Sequence, residues 1–91
     1  MPIPRRAKRD SNEGEIIRAL RAAGCSIVSI NIPGAADLMV GCRGINLLLE
    51  TKGKRGKLTE EQERFIENWQ GQYAVVRTVE EALAVIEKYT T

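Results

Sequence analysis

The sequence predicts one α/β domain with the element order α-β-β-β-α-β-α. Three observations predict it: apolar residues recur at helical spacing in three segments, four runs are rich in β-branched residues or leucine, and Gly or Pro separates most of these segments. A chain of 91 residues is near the size at which a lone core is only modestly stabilising, so oligomerisation would help it.

The first helix is predicted in DSNEGEIIRALRAAG, after a segment rich in Pro and Arg. Residues 10–12 are candidate N-caps, and Gly24 is a candidate stop. The apolar residues at helical spacing are Ile16, Ile17, Leu20 and Ala23. We therefore expect residues 1–10 to form a flexible basic arm and residues 11–91 to form the single domain.

Three strands are predicted next, in CSIVSINI, DLMVGC and INLLLETK. The first is rich in β-branched residues and breaks at Pro33-Gly34, and Arg43-Gly44 gives a short hairpin connection between the other two.

Two helices and a strand complete the chain. Thr59 begins TEEQ, a capping-box pattern for the second helix, and Gly71 ends that helix. The residues expected on one face of it are Leu58, Gln62, Phe65, Ile66 and Trp69. YAVVR predicts a buried strand, and Thr78 opens the last helix with a second capping box. The inward residues expected there are Ala82, Leu83, Val85 and Ile86.

The composition excludes several chemistries. With no histidine, the chain cannot use Ser-His-Asp or Cys-His catalysis, a helical HExxH zinc site or a histidine base, so catalysis would need carboxylates, Lys, Tyr or a hard metal. Cys25 and Cys42 are too few and too widely spaced for a CxxC metal site and are interpreted as reduced core residues. No apolar run has the length of a membrane span, so we expect a cytoplasmic protein.

The net charge of +2 says little about partners, but the distribution of the cations says more. Eight of the fourteen lie in two short segments, at Arg5, Arg6, Lys8 and Arg9 and at Lys52, Lys54, Arg55 and Lys57. Such runs either bind nucleic acid or form a solvated tail and loop.

The hairpin register brings two carboxylates together. If the hairpin closes symmetrically around Arg43-Gly44, Gly41 faces Asn46, Met39 faces Leu48, and Asp37 faces Glu50. Opposed like charges are unfavourable, so a cation is expected between them. A slip of one residue would undo this inference. The alternative is that Asp37 belongs to the turn after Pro33-Gly34 and Glu50 only pairs with Lys52.

A hard metal suits these groups. Thr51 should point to the other face and offer its backbone carbonyl near the two carboxylates. Carboxylate, carbonyl and water oxygens favour Mg²⁺ or Mn²⁺ over a soft metal. Lys52, on the face of Glu50, is either an ordinary terminal lysine or a group that orients or deprotonates water or stabilises transition-state charge.

Two further residues are ambiguous. Gln62 is either the N3 residue of the capping box or a polar group of the site, and one side chain should not fully serve both. In the first helix, Glu15 is preferred over Glu13, because Glu13 would lie in the frayed first turn. Glu15 could equally act only as a helix N-terminal carboxylate that complements the dipole.

These residues resemble the PD-(D/E)XK nucleases, specifically the small stand-alone virus-type replication-repair nuclease (VRR-NUC) domains of phages and bacteria. The resemblance spans about Asp10 to Ile86 and includes GAADLMVG, LLLETKGKRGKLTEEQ and GQYAVVRTVEEAL in the right order. The E-x-K tripeptide alone is common, whereas Asp-x₁₂-Glu-x-Lys followed by LTEEQ and a Trp-bearing helix is much more specific. Ala36 departs from the pattern, since many members have Pro before the Asp.

The resemblance implies a restriction-endonuclease-like core with a mixed central sheet flanked by helices. It also implies that Asp37, Glu50 and the Thr51 carbonyl bind Mg²⁺ or Mn²⁺ and that Lys52 is the catalytic lysine. Gln62 would match the glutamine on the helix after the motif. Glu15 would match the helix-one acid, either as an indirect metal ligand or in another role.

The implied activity is metal-dependent hydrolysis of DNA phosphodiester bonds by a homodimer, selective for branched or junction DNA such as Holliday junctions. Phosphate contacts would come from Arg5, Arg6, Lys8, Arg9, Lys54, Arg55 and Lys57. One alternative is a non-catalytic nucleic-acid-binding module on the same scaffold, and another is a nuclease that acts on RNA. A nucleotide cofactor is not expected, because neither Gly-Lys pair has P-loop spacing or a following Ser or Thr.

Overall fold

The structure is a computed structural model that describes the backbone of residues 4–91 and the side chains of residues 12–91. Its elements are α1 (Pro4–Ala22), β1 (Ser26–Ile32), β2 (Ala36–Cys42), β3 (Ile45–Thr51), α2 (Glu60–Asn68), β4 (Tyr73–Val76) and α3 (Val79–Thr90). The predicted order α-β-β-β-α-β-α is confirmed. None of the described helices is long and apolar enough to cross a membrane.

Helix α1 begins earlier than predicted. It starts at Pro4 rather than at a cap in residues 10–12. Proline is tolerated in the first turn of a helix, and Arg, Ala and Lys in the residues that follow are good helix formers. Residues 1–3 and the side chains up to residue 11 lie outside the described part. The flexible arm and the phosphate contacts of Arg5, Arg6, Lys8 and Arg9 therefore stay predictions.

The four strands form one mixed sheet in the order β1-β2-β3-β4. β1, β2 and β3 pair antiparallel in sequence, and β4 pairs parallel to β3. The predicted mixed sheet flanked by helices is thus confirmed. Parallel pairing puts the C-terminal ends of β3 and β4 at the same edge, with Thr51 beside Val76.

The tight turn between β2 and β3 sets the register that the sequence predicts. Cys42 pairs with Ile45, so Arg43 and Gly44 alone form the turn, with φ values of 54° and 86°. Positive φ at both central residues is typical of the type I′ turn, whose twist matches that of antiparallel strands. The predicted pairs Gly41–Asn46 and Met39–Leu48 are both present.

The main core lies between the sheet and helices α1 and α3. It consists of Ile16, Leu20, Cys25, Leu38, Val40, Cys42, Leu47, Leu49, Val76, Ala82 and Ile86. The interpretation of both cysteines as core residues is confirmed, since both are buried and free. Burial and the adjacent Cys42 raise the pKa of Cys25 to about 12, so it stays a neutral thiol. Leu83, predicted inward, is 38% exposed, because α3 turns that side to solvent.

Helix α2 packs on the opposite face of the sheet. There its Gln62 side chain binds Glu50, and its Phe65 ring packs near Tyr73. Thr59 caps it with a complete capping box, as predicted. The helix ends at Asn68 rather than near Gly71, and Trp69 already has extended backbone angles. Trp69, which was predicted to lie on the shared face of this helix, therefore lies just beyond the helix and is 41% exposed.

Candidate active site

Asp37 and Glu50 lie on neighbouring strands, on the face of the sheet that α2 covers. The pairing of Leu38 with Leu49, extended by one pair, places Asp37 opposite Glu50. Asp37 is half-buried, whereas Glu50 is only 4% exposed. The structure thus brings together the two carboxylates that the hairpin register predicts.

Two donors hold one oxygen of Glu50. Gln62 Nε2 donates to Glu50 Oε2 over 2.8 Å, and Lys52 Nζ lies 3.5 Å from the same oxygen. Burial raises the pKa of Glu50, the charge of Asp37 raises it further, and Lys52 and Gln62 act against this rise. Burial is the larger effect, so Glu50 is a carboxylate for which an added positive charge would be favourable.

Thr51 holds one oxygen of Asp37. Its backbone N–H and its hydroxyl donate to Asp37 Oδ2 over 3.0 and 2.9 Å. The sequence predicted that the Thr51 side chain points away from the carboxylates, and this is wrong. The pairing of β2 with β3 ends at Leu38 and Leu49. Beyond this point, the Thr51 amide donates to the Asp37 carboxylate instead of to a backbone carbonyl of β2. The Thr51 carbonyl as a metal ligand stays a prediction.

Each carboxylate keeps one oxygen free. Among the described side chains, neither Oδ1 of Asp37 nor Oε1 of Glu50 accepts a hydrogen bond. In the same part of the chain, every fully buried side-chain oxygen or nitrogen has a hydrogen-bond partner. The two free carboxylate oxygens have none, so both must be in contact with solvent. Two fixed carboxylates with one open oxygen each are suitable ligands for a hard divalent cation.

The protein supplies only part of a coordination shell. No group of three or more His, Cys, Asp or Glu within the described residues could hold a metal ion. Two carboxylates alone are a donor set that Mg²⁺ can use, since Mg²⁺ usually keeps several waters and binds through one or two carboxylates plus substrate phosphate. The residues present therefore fit Mg²⁺ or Mn²⁺, with water and phosphate as the remaining ligands.

Gln62 serves the helix cap and the carboxylate at once. Its Oε1 accepts from the Thr59 N–H over 3.0 Å, while its Nε2 donates to Glu50. The expectation that one side chain could not fully serve both is therefore wrong. The carboxamide has an acceptor and a donor at opposite ends, and the first turn of α2 lies directly over Glu50.

Helix α1 reaches the site through Asn12. Asn12 Nδ2 donates to the Lys52 carbonyl over 2.8 Å, and the Lys52 N–H donates to Val76 over 3.0 Å, so the lysine backbone is fixed on two sides. Glu15 is exposed, whereas Glu13 is half-buried and lies well inside α1 rather than in its first turn. The reason for preferring Glu15 to Glu13 no longer holds, and the role of Glu15 at the site stays a prediction.

Arg77 fastens the basic loop to the end of β4. Its guanidinium nitrogen donates to the carbonyls of Gly53 and Gly56, both over 2.7 Å, and Gly56 N–H donates to Gly53 to close a turn. Lys54, Arg55 and Lys57 project from this loop and are exposed. Sequence reasoning missed Arg77. The signal was its place directly after Val76: parallel pairing sets Val76 beside Thr51, so the next residue, Arg77, comes beside Lys52.

Tyr73 supports the strand that carries Asp37. Its hydroxyl donates to the Ala35 carbonyl, in the segment that leads into β2. Burial, followed by the charges of Glu50 and Asp37, raises the pKa of Tyr73 to about 12, so the hydroxyl stays protonated and keeps donating. Nothing in the sequence pattern distinguished this tyrosine from an ordinary strand residue.

Comparison with known proteins gives the class of the fold. No protein-family model and no curated protein matches the sequence. A solved structure described as "VRR_NUC domain" is similar to it, with a TM-score of 0.68 and 24% sequence identity, over 86% of this chain and 97% of that chain. The chain therefore has the fold of a VRR-NUC domain, a restriction-endonuclease-like fold, and the predicted resemblance is confirmed at the level of the fold.

Proposed function

We propose that this protein is a VRR-NUC nuclease that hydrolyses DNA phosphodiester bonds with Mg²⁺ or Mn²⁺. One observation carries the proposal: Asp37, Glu50 and Lys52 form a cluster, and Glu50 is almost fully buried beside another carboxylate. A buried carboxylate beside a second carboxylate and a lysine is costly to a fold and is typical of a functional site. The similarity to the VRR_NUC domain structure supports this function.

In this proposal, Asp37 and Glu50 are the residues that would hold the cation, because each keeps one oxygen free of protein donors. A bound Mg²⁺ or Mn²⁺ supplies positive charge for the phosphoryl group and lowers the pKa of water. Thr51 and Gln62 keep the two carboxylates in fixed orientations. Lys52 orients the attacking water or stabilises the charge that develops on the phosphoryl oxygens, because its Nζ lies beside Glu50.

The proposed substrate is branched or junction DNA, cut by a homodimer in the cytoplasm of a bacterium or a phage-infected cell. Exposed Lys54, Arg55 and Lys57 give binding that depends on salt rather than on sequence. Val28 and Ile32 on the edge strand β1 are 59% and 53% exposed, and such apolar exposure supports association of two copies. Sedimentation equilibrium that gives the 10.1 kDa monomer at all concentrations would contradict the homodimer.

The test of the function compares the wild type with Asp37→Asn and Lys52→Met. Duplex, flap, four-way-junction and single-stranded DNA are incubated with Mg²⁺, Mn²⁺ or EDTA. We expect metal-dependent cleavage by the wild type, and a loss of at least about 100-fold in each variant, as for other positioned acid–base groups. Glu67→Gln and Lys88→Met, which change exposed side chains, are the matched controls and should cut normally.

Two results would overturn the proposal. Tight DNA binding without metal-dependent cleavage of any substrate would favour the non-catalytic binding module instead. Equal cleavage by the wild type and both site variants would place the chemistry elsewhere in the chain.

A further inference from the structure

A groove beside the candidate active site is lined by aromatic rings and by charged and polar side chains. It has a volume of about 370 Å³, and we call it the aromatic groove; its lining residues are Gly34, Glu61, Arg64, Phe65, Asn68 and Trp69. Pockets that hold small ligands range from about 300 to 1,000 Å³. The groove is therefore large enough for one small planar group.

The aromatic wall of the groove is fixed in place. The rings of Phe65 and Trp69 are stacked, with centroids 5.2 Å apart and planes 18° from parallel. Trp69 Nε1 donates to the Gln72 carbonyl over 3.2 Å, which fixes the direction of the indole. Trp69 nevertheless stays 41% exposed, so a rigid aromatic surface is presented to solvent.

The groove and the carboxylates share helix α2, since Gln62 of that helix binds Glu50 and groove residue Phe65 follows three residues later. Phe65 lies 5.8 Å from Tyr73 between ring centroids, and Tyr73 donates to Ala35, the neighbour of groove residue Gly34. Gln62, which binds Glu50, is next to groove residue Glu61 on the first turn of α2. A group in the groove would therefore lie about one helical turn from the glutamine that binds Glu50.

We propose that the aromatic groove binds one unpaired nucleobase of the nucleic acid whose phosphodiester bond is cut. This proposal rests on the proposed nuclease function. Every base has a π-face that stacks on aromatic side chains without regard to sequence. Arg64 at the rim can donate to the edge of a base, and the Glu61 carboxylate can accept from an exocyclic amino group, while the Asn68 amide already donates to the Arg64 carbonyl over 2.8 Å.

The groove also gives a reason for selection of branched DNA. A base inside a duplex must be unstacked before it can enter a pocket, and this is least costly where pairing is already interrupted. A junction, flap or single-stranded end supplies such a base. The groove would then favour cleavage next to a branch point over cleavage within a continuous duplex.

Trp69 is the only tryptophan of the chain, so its fluorescence reports on the groove directly. The Asp37→Asn variant, which should not cut, is titrated with a flap DNA that has one unpaired thymine at the branch and with the same DNA carrying an abasic residue there. We expect quenching of Trp69 with the first DNA and little with the second. The abasic DNA should also bind about ten-fold more weakly.

Variants at the same position separate stacking from folding. Trp69→Phe keeps an aromatic plane, whereas Trp69→Leu keeps apolar bulk without it. We expect Trp69→Phe to cut flap DNA nearly as the wild type does and Trp69→Leu to need about ten-fold more DNA for half-maximal rate. Both variants should cut with the same metal dependence, and their thermal unfolding should show that they are folded.

Three outcomes would overturn the groove proposal. Normal cleavage with unchanged Trp69 fluorescence, or equal use of flap DNA by Trp69→Phe and Trp69→Leu, would reject the groove and leave the nuclease standing. A Trp69 spectrum that changes with protein concentration in the absence of DNA would assign the groove to a second copy. Failure to bind any DNA would reject both the groove and the nuclease.

Discussion

Glu50 lies in an environment that opposes its own charge. It is 4% exposed and close enough to Asp37 for that carboxylate to raise its pKa. Lys52 and Gln62 together offset only part of this effect, because burial is the largest cause of the rise. In a protein without bound metal, the ionised form of Glu50 therefore destabilises the fold.

Replacement of Glu50 should stabilise the metal-free protein in a way that depends on pH. Because the pKa of Glu50 in the folded protein is above its ordinary value of 4.5, the folded state holds the proton more strongly than the unfolded state. Below pH 4.5 both states are protonated, and Glu50→Gln should melt close to the wild type. As pH rises through the raised pKa, the wild type should lose stability relative to Glu50→Gln.

The measurement is thermal unfolding in EDTA from pH 4 to pH 8. For a domain of this size each kcal/mol corresponds to about 4–8 °C in Tm. Glu67→Gln on the exposed side of α2 controls for the loss of one negative charge. A Tm for Glu50→Gln that stays below the wild type at pH 8 would show that ionised Glu50 stabilises the fold.

The two roles of Gln62, in the helix cap and in binding Glu50, can be separated by substitution. Gln62→Met and Thr59→Val both remove the capping box, so each should lower stability by about 1 kcal/mol. Only Gln62→Met also removes the bond to Glu50, and a bond to a charged group contributes about 1.5–3 kcal/mol. We expect Gln62→Met to cut DNA at least about ten-fold more slowly while Thr59→Val cuts normally, in assays well below both melting temperatures. Equal activities would assign Gln62 to the cap alone.

The sequence predicted the site residues that belong to a local sequence pattern. It missed the residues that reach the site only through contacts between elements distant in sequence. The register of the β2–β3 hairpin and the alternation of side chains along β3 predict that Asp37, Glu50 and Lys52 lie together. Asn12 and Tyr73 contribute through single bonds between elements far apart in sequence, 40 and 38 residues. Such contacts depend on how layers pack, which local spacing does not specify.

Elements whose ends are set by local chemistry were predicted well. The β2–β3 turn needs positive φ at its two central residues, which Arg43-Gly44 adopts, and α2 begins at the Thr59 capping box. The boundaries that failed have no such strong signal. α1 continues upstream of its apparent caps because the residues there are good helix formers, and α2 stops before Gly71 because Trp69 turns to pack on Phe65.

The loop between β3 and α2 should depend on Arg77 for its order. Arg77→Ala removes both hydrogen bonds to the loop carbonyls, while Arg21→Ala removes an exposed arginine that makes no such bonds. We expect trypsin to cut after Lys54, Arg55 or Lys57 at least about ten-fold faster in Arg77→Ala, because open loop conformations become more populated. DNA binding should weaken in parallel. Unchanged digestion relative to Arg21→Ala would contradict a role for Arg77 in fixing the loop.

In the whole molecule, the main apolar core and the candidate active site lie on opposite faces of the sheet. The main apolar core lies under α1 and α3, and the carboxylates lie on the other face under α2. The polar groups of the site therefore do not interrupt the packing on which most of the stability depends. This arrangement suits a chain of 91 residues, which has little apolar surface to spare.

Metal binding should raise the stability of the whole domain. At a free metal concentration ten times the dissociation constant, linkage predicts about 1.4 kcal/mol. For a domain of this size that is about 6–11 °C in Tm. We expect this shift with Mg²⁺ or Mn²⁺ in the wild type and in Lys52→Met, and its loss in Asp37→Asn and Glu50→Gln. A shift that persists in both carboxylate variants would place the metal elsewhere.

The capping box of α2 has a consequence for observing the protein in solution. The Thr59 N–H donates to the Gln62 side chain, which also binds Glu50. The Gln62 N–H donates to the Thr59 hydroxyl. Fraying of the helix start and release of the carboxylate are thus one opening event. The protection of these two amides against exchange with deuterium should therefore report how often this opening occurs, without any substrate or turnover.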